Sequence, residues 1–246
     1  MSRRSKIVGL GLAALAMGLV VFLVSGLKEE SYHGRTLTSW LQQYSDAPLD
    51  QMQSRAAAEE AVRTIGAERA LRDLELLAET RDGPIRSWLM RKNEKWNLRV
   101  LKMRDAGNSQ LLGIAGFEIL GTNCAAAVPR LTRLMQDPNR AFTALRCLVV
   151  IGAPAELPVC QALTNPSPAI RAFATSQLSF VTDDIDVYLS RLAGPLSDPD
   201  GSVRFAAVQA LGLQAQYPEE SLPLLVKAIH DPQQSEIGRA SCRERV

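Results

Sequence analysis

Residues 197–213 read SDPDGSVRFAAVQALGL, and this stretch decides the fold. Pro199 has no N–H and disfavours a helical conformation in the residue before it, so Asp198-Pro199 closes one helix and opens a turn. The Asp198 side chain can take up backbone N–H groups of that turn. Behind it Val203, Ala206, Ala207, Ala210 and Leu211 fall at i, i+3, i+4, i+7 and i+8, the apolar stripe of an amphipathic helix. Gly212 then ends that helix. A stripe so rich in Ala lets a second helix approach closely.

The same punctuation recurs at Asp137-Pro138, Asn165-Pro166 and Asp231-Pro232, so the four turns are spaced by 28, 33 and 33 residues. An Ala-rich segment follows each of the first three: RAFTALRCLVVIG from Arg140, AIRAFATSQLSFV from Ala169, and SVRFAAVQALGL from Ser202. Leu-rich segments precede the turns, and QLLGIAGFEILG from Gln110 is an earlier copy of the Ala-rich type. Gly121 and Gly152 end second helices as Gly212 does. A helix pair of this length cannot bury both its faces alone, so neighbours must stack.

The period, the Asx-Pro turns, the Ala-rich second helices, and Arg171 and Arg204 six residues beyond Asn165 and Asp198 resemble the HEAT-repeat family. The resemblance covers roughly residues 110–234. It implies an all-α fold, a right-handed α-solenoid of about five helix pairs. It also implies a polar ladder between repeats built by Asp198, Arg204, Asn165 and Arg171, in which Asn165 replaces the acid. Asp137 precedes Arg140 by three residues and departs from that spacing.

Toward the N-terminus the pattern weakens. Residues 54–82 read as a degenerate opening repeat, RAAAEEAVRTIG followed by ERALRDLELLAETRDG. Before it, Thr36 or Thr38 can cap a short helix that buries Leu37, Trp40, Leu41 and Tyr44. An anchor followed by Tyr32-x-Gly34-Arg35-x-Leu37-x-x-Trp40-Leu41 is similar to exported HEAT-repeat proteins of the planctomycete and verrucomicrobial type. That similarity implies architecture and location, and no activity.

Ile7 to Leu27 is an uncharged apolar run of 21 residues, preceded by Arg3, Arg4 and Lys6. At about 1.5 Å per residue it matches a bilayer core of roughly 30 Å. The positive-inside rule places the body outside the cytoplasm, in the periplasm or at the cell exterior. A cleaved signal peptide is the competing reading; Val24-Ser25-Gly26 fits a small-x-small cleavage site poorly. At the other end, Ile237–Val246 (IGRASCRERV) matches a short-read sequencing adapter translated in one frame and is set aside as non-native. The chain is thus expected to comprise an n-region at 1–6, an anchor or signal peptide at 7–27, and a linker with a short amphipathic helix at 28–50. Repeats follow at 51–236, with an insertion at about 84–108, and the tail at 237–246. Glu219 to His230 then reads as a first helix without its second, leaving Leu224, Leu225 and Ile229 short of a neighbour, so the chain should be less stable than a longer parent.

The whole chain has 28 basic and 26 acidic residues, but the basic excess lies at its ends. Residues 28–236 carry 22 basic and 25 acidic groups, a net charge of −3, which argues against a nucleic-acid partner. Cys124, Cys147 and Cys160 have no metal-ligand spacing and read as small buried hydrophobes. The chain has two histidines, His33 and His230, and no HExxH, Ser-His-Asp or phosphate-loop pattern, so no metal and no cofactor are expected. The acid pairs Glu59-Glu60, Asp183-Asp184 and Glu219-Glu220 read as helix-terminal residues rather than acid–base pairs.

The expected function is therefore a non-catalytic scaffold holding a protein or peptide on the concave face of the repeats. Arg140, Gln177 and Gln209 are the polar candidates there. The insertion offers a second candidate surface, in which Trp88, Arg91, Lys95 and Trp96 interleave aromatic and basic side chains. It suits anionic head groups or an acidic partner; a solvated helix hairpin is the plainer reading. The rival class is an enzyme on a HEAT-like scaffold, bilin-lyase-like or DNA-glycosylase-like.

Overall fold

The computed structural model describes residues 29–48, 50–84, 87–88 and 105–213, together with 219, 221, 223, 224 and 226. The described residues are 77% helix and 2% strand, an all-α fold. The apolar run 7–27 and the tail 237–246 lie outside them, as does most of the insertion.

The chain opens with a two-stranded hairpin, β1 (Ser31–Tyr32) against β2 (Arg35–Thr36), in register Ser31↔Thr36 and Tyr32↔Arg35. Its turn puts His33 at φ 48° and Gly34 at φ 72°, the left-handed pair that a two-residue hairpin loop requires. Helix α1 (Leu37–Asp46) follows at once. Thr36 caps it by accepting the Ser39 N–H at 3.3 Å, which decides between the two threonines. Leu37, Leu41 and Tyr44 are buried as the spacing predicts. Trp40 is half-buried and donates its indole N–H to the Tyr32 carbonyl at 3.2 Å, under the Arg35 guanidinium. The Tyr-x-Gly-Arg-x-Leu-x-x-Trp-Leu stretch is therefore a hairpin-and-helix plug whose buried face joins the main core cluster.

The remaining helices are α2 (Met52–Ile65), α3 (Ala67–Glu79), α4 (Ala106–Leu120), α5 (Val128–Leu134), α6 (Ala141–Ile151), α7 (Glu156–Ala162), α8 (Pro168–Ser176), α9 (Ile185–Leu196) and α10 (Gly201–Gly212). A 3-10 segment, Gly121–Ala127, leads into α5. Among the described residues five pairs form: α1 with α2, α3 with α4, α5 with α6, α7 with α8, and α9 with α10. The second members α2, α4, α6, α8 and α10 touch in succession. One core cluster runs from Leu37 to Val181, and a second gathers Leu178, Tyr188, Leu192, Ala207, Ala210 and Leu211, with Leu224 packed on its edge.

This pairing corrects the reading of residues 54–82 as one repeat. The two helices there, α2 and α3, meet at Gly66 (φ 81°) but find their main partners elsewhere. The first pair is completed by the plug helix α1; the second is completed by α4, across the insertion. The α3–α4 contact is close because α4 has no side chain where they cross. A Cβ at Gly113 would stand 3.0 Å from the Ala78 backbone N, and one at Gly116 would overlap Leu74 Cδ2.

Among the described residues one helical stretch, Ala106–Leu134, is long and apolar enough to span a membrane, with mean hydropathy 1.6. It bends at Gly121 (φ 53°), and Leu112, Phe117 and Leu131 within it are fully buried. Its apolarity is used in the core.

Candidate functional site

The Asx-Pro turns set the orientation of the second helices. In the three turns among the described residues the Asx side chain accepts the N–H two residues on: Asp137 from Asn139 at 3.0 Å, Asn165 from Ser167 at 2.9 Å, and Asp198 from Asp200 at 2.8 Å; Asp231-Pro232 lies outside them. Asp200 in turn caps α10 through the Ser202 N–H. The ladder rung runs from one repeat to the next. Arg171 grips Asp198 with two bonds, Nε–Oδ2 at 2.7 Å and Nη2–Oδ1 at 2.8 Å. Its remaining Nη1 bonds the carbonyls of Asn165 and Pro166, its own turn. Arg204 repeats this geometry on the carbonyls of Asp198 and Pro199 at 2.7 and 3.0 Å. The Arg171 and Asp198 side chains are 13% and 10% exposed, so the pair is shielded from water and its bidentate geometry counts. The Arg171 guanidinium holds the Asp198 carboxyl below the usual carboxylate range.

Asn165 cannot make such a pair, and the rung before it differs. Arg140 bonds Asp137 of its own turn, Nε–Oδ2 at 2.8 Å. First helices are linked separately: Arg130 of α5 bonds Glu75 and Glu79 of α3, and Arg191 of α9 bonds Glu156 of α7 at 3.0 Å.

With their inner faces spent on packing, α4, α6 and α8 present an outer stripe each. Leu111 and Glu118 lie exposed at i and i+7 on α4, with the buried Ile114 between them; Phe142 is exposed and Arg146 half-buried at i and i+4 on α6, with the buried Val149 beyond; Phe173 lies on α8, with Gln177 at its C-cap. Between these stripes lies a cavity of about 500 Å³ lined by Ile114, Glu118, Arg146, Val150, Phe173, Gln177 and Phe180 among others. Glu118 is exposed, Arg146 half-buried, and Phe180 is 64% exposed although large and apolar. A second cavity of about 420 Å³ sits between the turns, lined by Met135, Pro138, Phe142, Pro166 and Ile170 among others. The Phe142 and Phe173 rings touch, with centroids 4.8 Å apart, so this aromatic pair gives one ring to each cavity. The volume suits a few side chains of a bound segment, and the lining is mainly apolar with a few polar groups, as binding clefts are.

Of the polar residues predicted for this face, Gln177 lines the cavity. Arg140 is held at its turn by Asp137. Gln209 is exposed on α10 but does not border the cavity. Trp88 is 49% exposed, on the insertion between α3 and α4; Arg91, Lys95 and Trp96 lie outside the described residues. Glu118, Arg146, Phe173 and Phe180 were not singled out from the sequence. Part of their signal was present: Glu118 and Arg146 are the lone charged residues within α4 and α6.

Asp184 caps α9 by accepting the Asp186 and Val187 N–H groups. Glu59 and Glu60 sit in the body of α2 rather than at its end, and Glu59 pairs with Arg63 one turn on. Cys124 and Cys147 are fully buried, and burial pushes their thiols up to about 11 and about 12. Cys160 is half-buried.

Residues 156–244 match the HEAT-repeat family. The match takes in α7 to α10, the Arg171–Asp198 rung included, and supports a HEAT-repeat domain there. No curated protein and no solved structure matches the chain.

Proposed function

We propose that the chain is a non-catalytic binding scaffold. Its HEAT-type pairs form a right-handed α-solenoid, and the face made by α4, α6 and α8 holds an extended segment of a partner protein. Ile7–Leu27 tethers it to the membrane as a single span, with the body in the periplasm or outside the cell. The observation that carries the reading is the cavity across three successive second helices, where Phe173 and Phe180 stand beside Arg146, Glu118 and Gln177. A site built across repeats recognises length and sequence of a chain rather than one small molecule.

A photo-crosslinking amino acid placed at Gln177 and, separately, at Leu157 tests this in the intact cell. Leu157 is a fair control because it is 67% exposed on the first helix α7. A discrete crosslinked species from position 177, absent from 157 and lost on Arg146→Glu, supports the scaffold. Equal labelling at both positions, or turnover of a small molecule by the purified protein, overturns it.

A further inference from the structure

The segment that follows the apolar run is fastened to the body almost at once. The Glu29 carboxylate accepts both the Thr38 N–H and the Thr38 hydroxyl. Glu30 donates its N–H to Asp73 of α3 at 3.1 Å, and its carbonyl accepts the Leu37 N–H at 2.8 Å. Residues 29 and 30 are thus tied to both α1 and α3, where the sequence reading placed a linker. From Leu27 to Glu29 is two residues, a reach of at most about 7 Å.

The surface around this exit has a particular composition. On α3, Arg69, Arg72, Asp73 and Leu76 lie at i, i+3, i+4 and i+7, one stripe. Arg69 and Arg72 are exposed, as is Leu76, while Asp73 is the residue that holds Glu30. Beside the stripe stands the hairpin plug, with Arg35 exposed over the half-buried ring of Trp40. The arginines stand among the acids Glu29, Glu30, Glu68 and Asp73, so the rim is mixed in charge, and an arginine–tryptophan pair held this close to the end of the apolar run suits the head-group layer of a bilayer.

The geometry points to the hairpin plug and α3 being seated on the membrane surface, the exit rim of Arg35, Trp40, Arg69 and Arg72 against lipid head groups. This rests on the reading of Ile7–Leu27 as an uncleaved span. The solenoid then projects from the bilayer at a fixed end, with the α4–α6–α8 cavity held away from the lipid, rather than swinging on a tether.

The test uses the full chain in vesicles of phosphatidylethanolamine and phosphatidylglycerol, some carrying a head-group spin label. Trp88 and Trp96 are replaced by Phe, so that Trp40 is the sole fluorophore. A second variant, Trp40→Phe with Phe205→Trp, moves it to α10. Carbonate extraction reports the anchor independently. Expected is a protein retained after carbonate, with Trp40 strongly quenched and the position-205 reporter not. A long Gly/Ser spacer between Lys28 and Glu29 should release that quenching while retention persists. Retention with Trp40 unquenched, with both reporters quenched alike, or with quenching indifferent to the spacer overturns the seating and leaves the anchor standing. Release by carbonate overturns the anchor, and the seating with it.

Discussion

The two ends of the array reach the same helix pairing by different means. In α7–α10 each helix pairs with its neighbour in sequence, and consecutive pairs are locked by the Arg171–Asp198 rung, 27 residues apart. In α3–α4 the pairing is set by what is missing. Gly113 and Gly116 open a path for α3, and a bond that closes the pair, Gln110 to the Thr80 carbonyl, spans the excursion across 30 residues. Regular repeats can be specified by local signals, because each turn and each Arg repeats. An interrupted repeat needs shape complementarity strong enough to find its partner after an excursion.

Breaking the shape-coded end should have the largest effect. Gly113→Leu forces a side chain against the Ala78 backbone, which cannot move aside as a side-chain tip can. We expect a loss of about 3 kcal/mol or more in urea unfolding, the upper range of overpacking. Gly116→Ala meets the flexible end of Leu74 instead and should cost clearly less. If the two substitutions have equal cost, the α3–α4 contact is not set by backbone approach.

Breaking the charge-coded end comes next. Asp198→Ala leaves the part-buried Arg171 with its carbonyl bonds alone, at a cost of about 2 kcal/mol, below the range for severing a fully buried pair. Asp198→Asn keeps the bond to the Asp200 N–H, as Asn165 does in its own turn, and should fall between. The pH dependence has a definite sign. Asp198 is depressed in the fold from an unfolded value of about 3.9, so its stabilisation is present above that value. It is lost as pH falls through the folded value. The gap between wild type and Asp198→Ala in thermal unfolding should therefore be wide near neutrality and close in acid. A gap independent of pH would show that the ion pair is not what the alanine removes.

The regular end was legible because its signals are local. Asx-Pro turns, Arg171 and the Ala stripe of Val203–Leu211 place helices and rung without knowledge of distant contacts. The polarity of the rung was not legible. Spacing tied Arg204 to Asp198, whereas the carboxylate goes to Arg171 of the preceding repeat and Arg204 bonds the backbone of its own turn. The N-terminal pairing was misread because ERALRDLELLAE follows the helix at 52–65 directly and pairs with a helix beyond the insertion. The cavity was half legible. Gln177 was legible as a polar side chain at the end of a second helix, but Phe173 and Phe180 could not be told from core residues by type alone.

The smallest effect should come from removing the excursion itself. Its two ends are already held together. Asp82 accepts the Ala106 N–H with both carboxylate oxygens at 3.1 Å, and Gln110 donates to the Thr80 carbonyl at 2.7 Å. Gln110 also accepts the Thr143 hydroxyl at 2.9 Å, which carries the closure into α6. Loop-closure entropy changes slowly with length, so replacing residues 84–104 with a short Gly/Ser loop should shift stability by about 1 kcal/mol or less. Adding Asp82→Ala should then cost more in the shortened chain's parent than in the shortened chain, where closure is imposed by length. A large loss on deletion alone would mean that the insertion packs on the body and helps α3 find α4, and the contrast between the two ends would need a third element.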